Sequence, residues 1–200
     1  MESLDLFVFS NDSFISELIE MGEKVGVGYD DASHVGICVK SDILKGYKLG
    51  NNTVILEPGK KYVFESTFSG VIINSLDDVI ERYAANENAA IGYCRLNMEH
   101  SITASEFTPI FDKYFKRKYD FDILNVASSA FKFLEKWRKF KDRTLKFFGK
   151  KKPDAQFCSE LVTNILLDLG LLHNLDPEDI SPVEAMRFDI YDQVNWFYKN

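Results

Sequence analysis

The sequence predicts a single-domain α+β fold, on three observations. The first half is broken into short apolar, β-branched runs separated by turn residues. The second half is dominated by helix-period patterns. The length of 200 residues, 46% hydrophobic and 14% aromatic, is enough for one core and demands no second. The expected arrangement is an antiparallel, barrel-like sheet packed against helices. No internal repeat, Ser/Gly linker or low-complexity tract marks a further domain within residues 1–200.

Residues 4–9 form the first strand candidate, and Asn11 then reads as an N-cap for a helix carrying Phe14, Ile15, Leu18 and Ile19 on one stripe up to Gly22. Residues 34–39 read as a strand. Three more β-rich pieces follow at 53–56, 62–67 and 71–73, separated by Pro58-Gly59 and Ser69-Gly70 turn chemistry. Residues 75–83 form a helix opened by a polar cap and acids, and 89–96 return to a strand pattern. A helix over about 105–116 requires Pro109 in its first turn, where no intrahelical N–H is needed. Over 127–148, Phe133, Leu134, Trp137, Phe140, Phe147 and Phe148 share one face, and Lys132, Lys136, Lys139 and Arg143 lie elsewhere. The last helix, 156–169, follows Pro153-Asp154 and stops at Gly170.

A net charge of -7 and a pI near 5.1 exclude a general positive field that would draw nucleic acid. The charge is uneven, since residues 113–152 hold 14 of the 24 Lys and Arg. The first residues carry acids and no basic residue ahead of a short apolar run, the wrong layout for a secretory signal, and no stretch approaches the roughly 20 apolar residues of a membrane span. The expected location is the cytoplasm. Three cysteines, an odd number without a close pair, fit a reducing compartment and leave at least one thiol free.

The role of that thiol is set by Gln156-Phe157-Cys158-Ser159-Glu160-Leu161-Val162. Cys158 falls in the first turn of the predicted helix, with Asp154 as a possible N-cap, where unpaired backbone N–H groups favour a thiolate. It shares a stripe with Leu161, Val162, Ile165 and Leu169 and so faces the sheet on which the helix packs. A thiolate needs a base on that sheet. His34 opens a strand whose alternation sends His34, Gly36 and Cys38 to one face, with Gly36 leaving room beside the imidazole. Glu65, mid-strand among apolar neighbours, supplies an acceptor to hold the imidazole tautomer. Taken singly, Cys158 reads as a small buried hydrophobe, His34 as a strand-end histidine and Glu65 as a solvent-facing strand residue; the combination is what points to chemistry. Cys38 and Cys94 read as packed strand residues. His100 and His173 have no metal-ligand spacing around them, so no metal and no cofactor is expected.

Two segments carry a family resemblance. Ser33-His34-Val35-Gly36-Ile37 and Phe157-Cys158-Ser159-Glu160-Leu161-Val162 resemble the histidine strand and cysteine helix of the permuted branch of the NlpC-like papain superfamily, the YiiX-type proteins, with a poxvirus member the nearest likeness. Further landmarks are Leu4-Asp5-Leu6-Phe7-Val8, Phe64-Glu65-Ser66 through Gly70-Val71, Lys118-Tyr119-Asp120-Phe121 and Ser181-Pro182, which together span nearly the whole chain. The resemblance implies a circularly permuted papain-like (NlpC-type) fold, with histidine before cysteine in the chain. It further implies Cys158 as nucleophile, His34 as base, Glu65 as third residue, the Cys158 backbone N–H as an oxyanion donor and Tyr119 as a pocket residue.

Three function classes remain open on the sequence. One is a thiol hydrolase or acyltransferase acting on an amide or peptide bond through a thioester, with a host-cell target if the poxvirus likeness holds. A second is an acyl-lipid transferase or phospholipase of the lecithin-retinol-acyltransferase kind. The basic, aromatic 127–148 helix fits that class, because its composition suits an anionic membrane surface or a host protein. A third is a catalytically idle host-interaction module. The sequence sets no oligomeric state.

Overall fold

The computed structural model describes residues 1–10, 32–44, 48–49, 52–53, 56–67, 70–85, 89–97, 102–115 and 158–199. The helices predicted over 11–22 and 127–148, the candidate N-cap Asp154 and the candidate pocket residue Tyr119 lie outside them. In chain order the elements are β1 (Leu6–Ser10), β2 (His34–Lys40), β3 (Lys48–Leu49), β4 (Asn52–Thr53), β5 (Lys61–Thr67), β6 (Gly70–Ser75), α1 (Leu76–Ala84), β7 (Ala90–Cys94), α2 (Ala104–Tyr114), α3 (Cys158–Asp168), a 3-10 turn (Pro177–Asp179), α4 (Pro182–Met186) and β8 (Asn195–Lys199). Six strands form one sheet in the order β6-β5-β2-β1-β7-β8, and every neighbouring pair is antiparallel. Strands β3 and β4 make a separate two-residue pair, which is what the described residues hold of the strand expected at 53–56.

The central strands read as continuous apolar runs because the sheet is covered on both faces. On one face Leu6, Val8, Val35, Ile37, Val39 and Phe64 pack with Phe107 and Phe111 of α2 and with Leu161, Val162 and Ile165 of α3. On the other, Phe7, Phe9, Cys38, Val63 and Ile91 pack with Val79 and Tyr83 of α1. This corrects the expectation of a barrel-like sheet. Among the described residues β6 and β8 are the two ends of an open sheet, and with helices on both faces there is no interior for the strands to close around.

The division into β-rich and α-rich halves is also incomplete, because β8 returns to pair with β7 at the sheet edge. The register slips between Ile91 and Gly92, and a side chain at Gly92 would meet Val194 Cγ1 at 2.7 Å and Trp196 Cε3 at 2.9 Å. Glycine at this bulge is what admits β8.

Helix α1 starts as expected, with Ser75 Oγ accepting from Asp78 N at 3.1 Å and acids in its first turn. Helix α2 begins at a capping box between Thr103 and Glu106, which places Pro109 in its second turn rather than its first. The missing N–H strands the carbonyl of Ser105, an exposed residue that water can satisfy, and the burial of Phe107, Ile110, Phe111 and Tyr114 outweighs the cost. Helix α3 ends where Gly170 takes φ +70 and Leu171 N donates to Leu166 O at 2.9 Å. Lys113 Nζ and Tyr114 Oη both donate to Asp168, at 2.7 and 2.8 Å, tying α2 to α3. Among the described residues no helix is long and apolar enough to cross a membrane.

Candidate active site

The site forms where the first residue of β2 meets the first residue of α3. Strand alternation turns His34 toward the face covered by α1, where its ring lies 5.4 Å from that of Phe9, which in turn stacks on Tyr83 at 4.9 Å. Helix α3 packs on the opposite face, over Val35, Ile37 and Val39. His34 opens β2 and Cys158 is the first described residue of α3, so thiol and imidazole meet at this end of the sheet.

Gly36 decides how the acid reaches the imidazole. Glu65 is the cross-strand partner of Gly36, and a side chain at Gly36 would come within 3.2 Å of Glu65 Cβ and 2.7 Å of Val63 Cγ1. Without one, the Glu65 side chain crosses diagonally to His34, and Oε2 lies 2.8 Å from His34 Nε2. The second carboxylate oxygen, Oε1, accepts from Asn74 Nδ2 at 2.9 Å and from Arg82 Nη2 at 2.7 Å. Glu65 is 0% exposed, so a mid-strand carboxylate that reads as solvent-facing when taken alone is wholly buried and saturated with donors.

The electrostatics follow from these contacts. Burial works to raise the Glu65 carboxyl, but the hydrogen bond and charge of His34, with Arg82 behind them, overcome it and bring the group down to about 2. Burial likewise works against a charged His34. The negative charge and hydrogen bond of Cys158, followed by those of Glu65, win and carry the imidazole up to about 10. With Nε2 committed to Glu65, Nδ1 is the nitrogen left for the Cys158 sulfur. The Tyr83 hydroxyl is pushed up by burial first, then by Glu65, with Cys158 adding to it, and so stays protonated.

The three thiols divide cleanly. Cys38 and Cys94 are each 0% exposed, and burial, followed by the nearby Asp5 carboxylate, pushes both up to about 12. Cys158, 5% exposed, is the thiol beside an imidazole. Next to it Ser159 Oγ donates to the carbonyl of Ile180 at 2.6 Å, and Thr163 Oγ1 donates to the Ser159 carbonyl at 2.8 Å, fixing the first turn of α3. The structure thus brings Cys158, His34 and Glu65 together. Sequence reasoning missed Asn74, Arg82 and Tyr83. The available signal for Arg82 was indirect: an acid among apolar strand neighbours needs a cation, and the last turn of the next helix supplies one.

No protein-family model matches the chain, and no curated protein does. Among solved structures, the crystal structure of metalloprotein YiiX from Escherichia coli is similar at a TM-score of 0.51 and 16% identity, covering 100% of this chain and 97% of that one. The likeness is one of fold: an α+β domain with a six-stranded antiparallel sheet and helices. The word metalloprotein belongs to that structure's description. Among the described residues no group of three or more His, Cys, Asp and Glu side chains is placed to hold an ion. At the site, Nε2 of His34 and both oxygens of Glu65 are already bound to each other, to Asn74 and to a guanidinium that a cation would have to displace.

Proposed function

We propose that this protein is a cysteine-nucleophile hydrolase or acyltransferase of circularly permuted papain-like fold, acting on an amide or peptide bond through a thioester. The observation that carries the reading is the line Glu65, His34, Cys158: a buried carboxylate bonded to one imidazole nitrogen, with a thiol acting on the same ring. In this reading Cys158 Sγ attacks the carbonyl carbon while His34 holds the thiol proton. His34 then gives that proton to the leaving amine as the C–N bond breaks and a thioester remains on Cys158. Water or another acceptor, its proton taken by His34, attacks the thioester, and the proton returns to sulfur as the acid or transferred acyl product leaves. Glu65 keeps the ring in one orientation throughout. The Cys158 backbone N–H serves the developing oxyanion.

The resemblance of the His34 strand and Cys158 helix to the YiiX-type proteins supports the permuted assignment; a host-directed role in infected-cell cytoplasm follows only from the poxvirus likeness, by analogy. The test is intact-mass trapping. The full chain is mixed with activated amide and isopeptide substrates and, separately, with acyl-lipid vesicles, and acid-quenched adducts are mapped. A Cys158 acyl adduct from the amides, absent in Cys158→Ala, is the expected result. An adduct from acyl lipids alone moves the substrate class to lipid. No adduct from either, with binding retained, makes the protein an interaction module.

A further inference from the structure

We infer that Arg82 is a positioning residue for the base at this site: by holding one oxygen of Glu65 while His34 holds the other, it divides the carboxylate's charge between two cations and keeps the imidazolium able to release its proton. The inference rests on the proposed catalytic role of His34.

The geometry is a two-sided grip. His34 Nε2 meets Oε2 at 2.8 Å, and Arg82 Nη2 meets Oε1 at 2.7 Å, with the neutral Asn74 amide on the same oxygen at 2.9 Å. Arg82 sits in the last turn of α1, its guanidinium 5.8 Å from the Tyr83 ring and 44% exposed. Among the described residues, the titratable groups acting on His34 are Cys158 from α3 and Glu65 from β5, and Arg82 and Tyr83 from α1 act in turn on Glu65. Tyr83 stays neutral, and among the described residues Arg82 is the cation that meets the far oxygen of the carboxylate bonded to His34.

That sign matters for turnover. An imidazolium enclosed between the Cys158 sulfur and a wholly buried carboxylate is a poor acid, yet acyl transfer requires it to protonate a leaving amine and later to return a proton to sulfur. A cation on the far oxygen draws carboxylate charge away from the ring and eases both releases. A brace that only stiffened the fold would act in the opposite sense, since its loss would loosen the Glu65 contact and let His34 drift down toward its ordinary value.

The experiment reads His34 directly. The chain has three histidines, His34, His100 and His173, whose carbon-13-labelled imidazole signals are followed against pH in the full-length protein, with His34 identified by its loss in His34→Gln. In Arg82→Gln the His34 midpoint is expected to rise by about half to one pH unit. Arg82→Lys, which keeps the charge, is expected to stay near wild type, and Glu65→Gln to fall. Arg82→Met provides the same comparison if the glutamine variant does not fold. A midpoint that falls or stays put in the neutral variants, or rises equally in Arg82→Lys, overturns the inference. If instead neither Glu65→Gln nor Cys158→Ala moves His34, it is the catalytic reading of the site that fails.

Discussion

Glu65 reaches His34 because Gly36, its partner across the strands, has no side chain in the way. One residue without a Cβ thereby links a β5 acid to a β2 base that stands two positions before that residue. The acid is held from three sides, by β2, β6 and α1, so the site's geometry depends on sheet register as much as on the catalytic side chains themselves.

Gly36→Ala is therefore expected to act on the site and not only on packing. The new methyl would meet Val63 Cγ1 at 2.7 Å and Glu65 Cβ at 3.2 Å, well inside contact distance. Overpacking of this kind costs about 1–3 kcal/mol of stability. Denaturant unfolding should show that loss, and Cys158 alkylation at neutral pH should slow several-fold as the displaced Glu65 lets the imidazole turn. Unchanged alkylation in a destabilised variant would mean Glu65 does not orient His34.

The three thiols should separate under a mild alkylator. Cys38 and Cys94, shut in the core and pushed up to about 12, are expected to label only as fast as the protein opens, whereas Cys158 should label at least tenfold faster at pH 7. His34→Ala should remove most of that difference and leave Cys38 and Cys94 unchanged. Peptide mapping by mass spectrometry gives all three rates in one experiment, and three equal slow rates would dismiss the nucleophile.

Cys158, His34 and Glu65, which the structure places together, could be named from the sequence only in combination: a cysteine opening a helix, a histidine opening a strand with glycine two residues on, and an acid inside an apolar strand, each of which alone reads as structural. What was not legible is tertiary. Which face His34 takes depends on where α3 docks, and Arg82 looks like any cation in the last turn of a helix until the buried Oε1 of Glu65 is seen beside it. Strand β8 was missed although Trp196, Phe197 and Tyr198 are strand formers; its pairing partner β7 lies about a hundred residues earlier, and its place depends on the bulge at Gly92. Pro109 was misplaced because the capping box at Thr103 sets the helix start, and buried aromatic contacts outweigh the rule against an interior proline.

Pro109→Ala should accordingly stabilise the chain without touching the site. The substitution restores an N–H for the Ser105 carbonyl in a helix whose proline is exposed, so no packing is lost. An interior helix proline costs about 3 kcal/mol, and its removal returns some of that as unfolded-chain entropy, about 0.4–1 kcal/mol. A gain of about 2 kcal/mol corresponds to a Tm rise of roughly 4–8 °C for a chain of this size. Cys158 labelling should not change. A lower Tm would mean the helix bends at Pro109 in a way alanine does not support.

The coupled pair sets a pH window for stability. Glu65 is held below its ordinary value, so its contribution is complete above about 4.5 and is lost as pH falls toward about 2. His34 is held above its ordinary value, so its contribution is complete below about 6.5 and is lost as pH rises through about 10. Both are present in full only between those limits. The difference in unfolding free energy between wild type and Glu65→Gln should therefore be largest near pH 5–6, shrink on the acid side as Glu65 takes up its proton, and shrink on the alkaline side as His34 loses its own. Urea unfolding of both proteins from pH 3 to pH 10 checks this. A difference that stayed constant across the range would mean that Glu65 contributes by packing alone and that the His34 ion pair adds nothing to the fold.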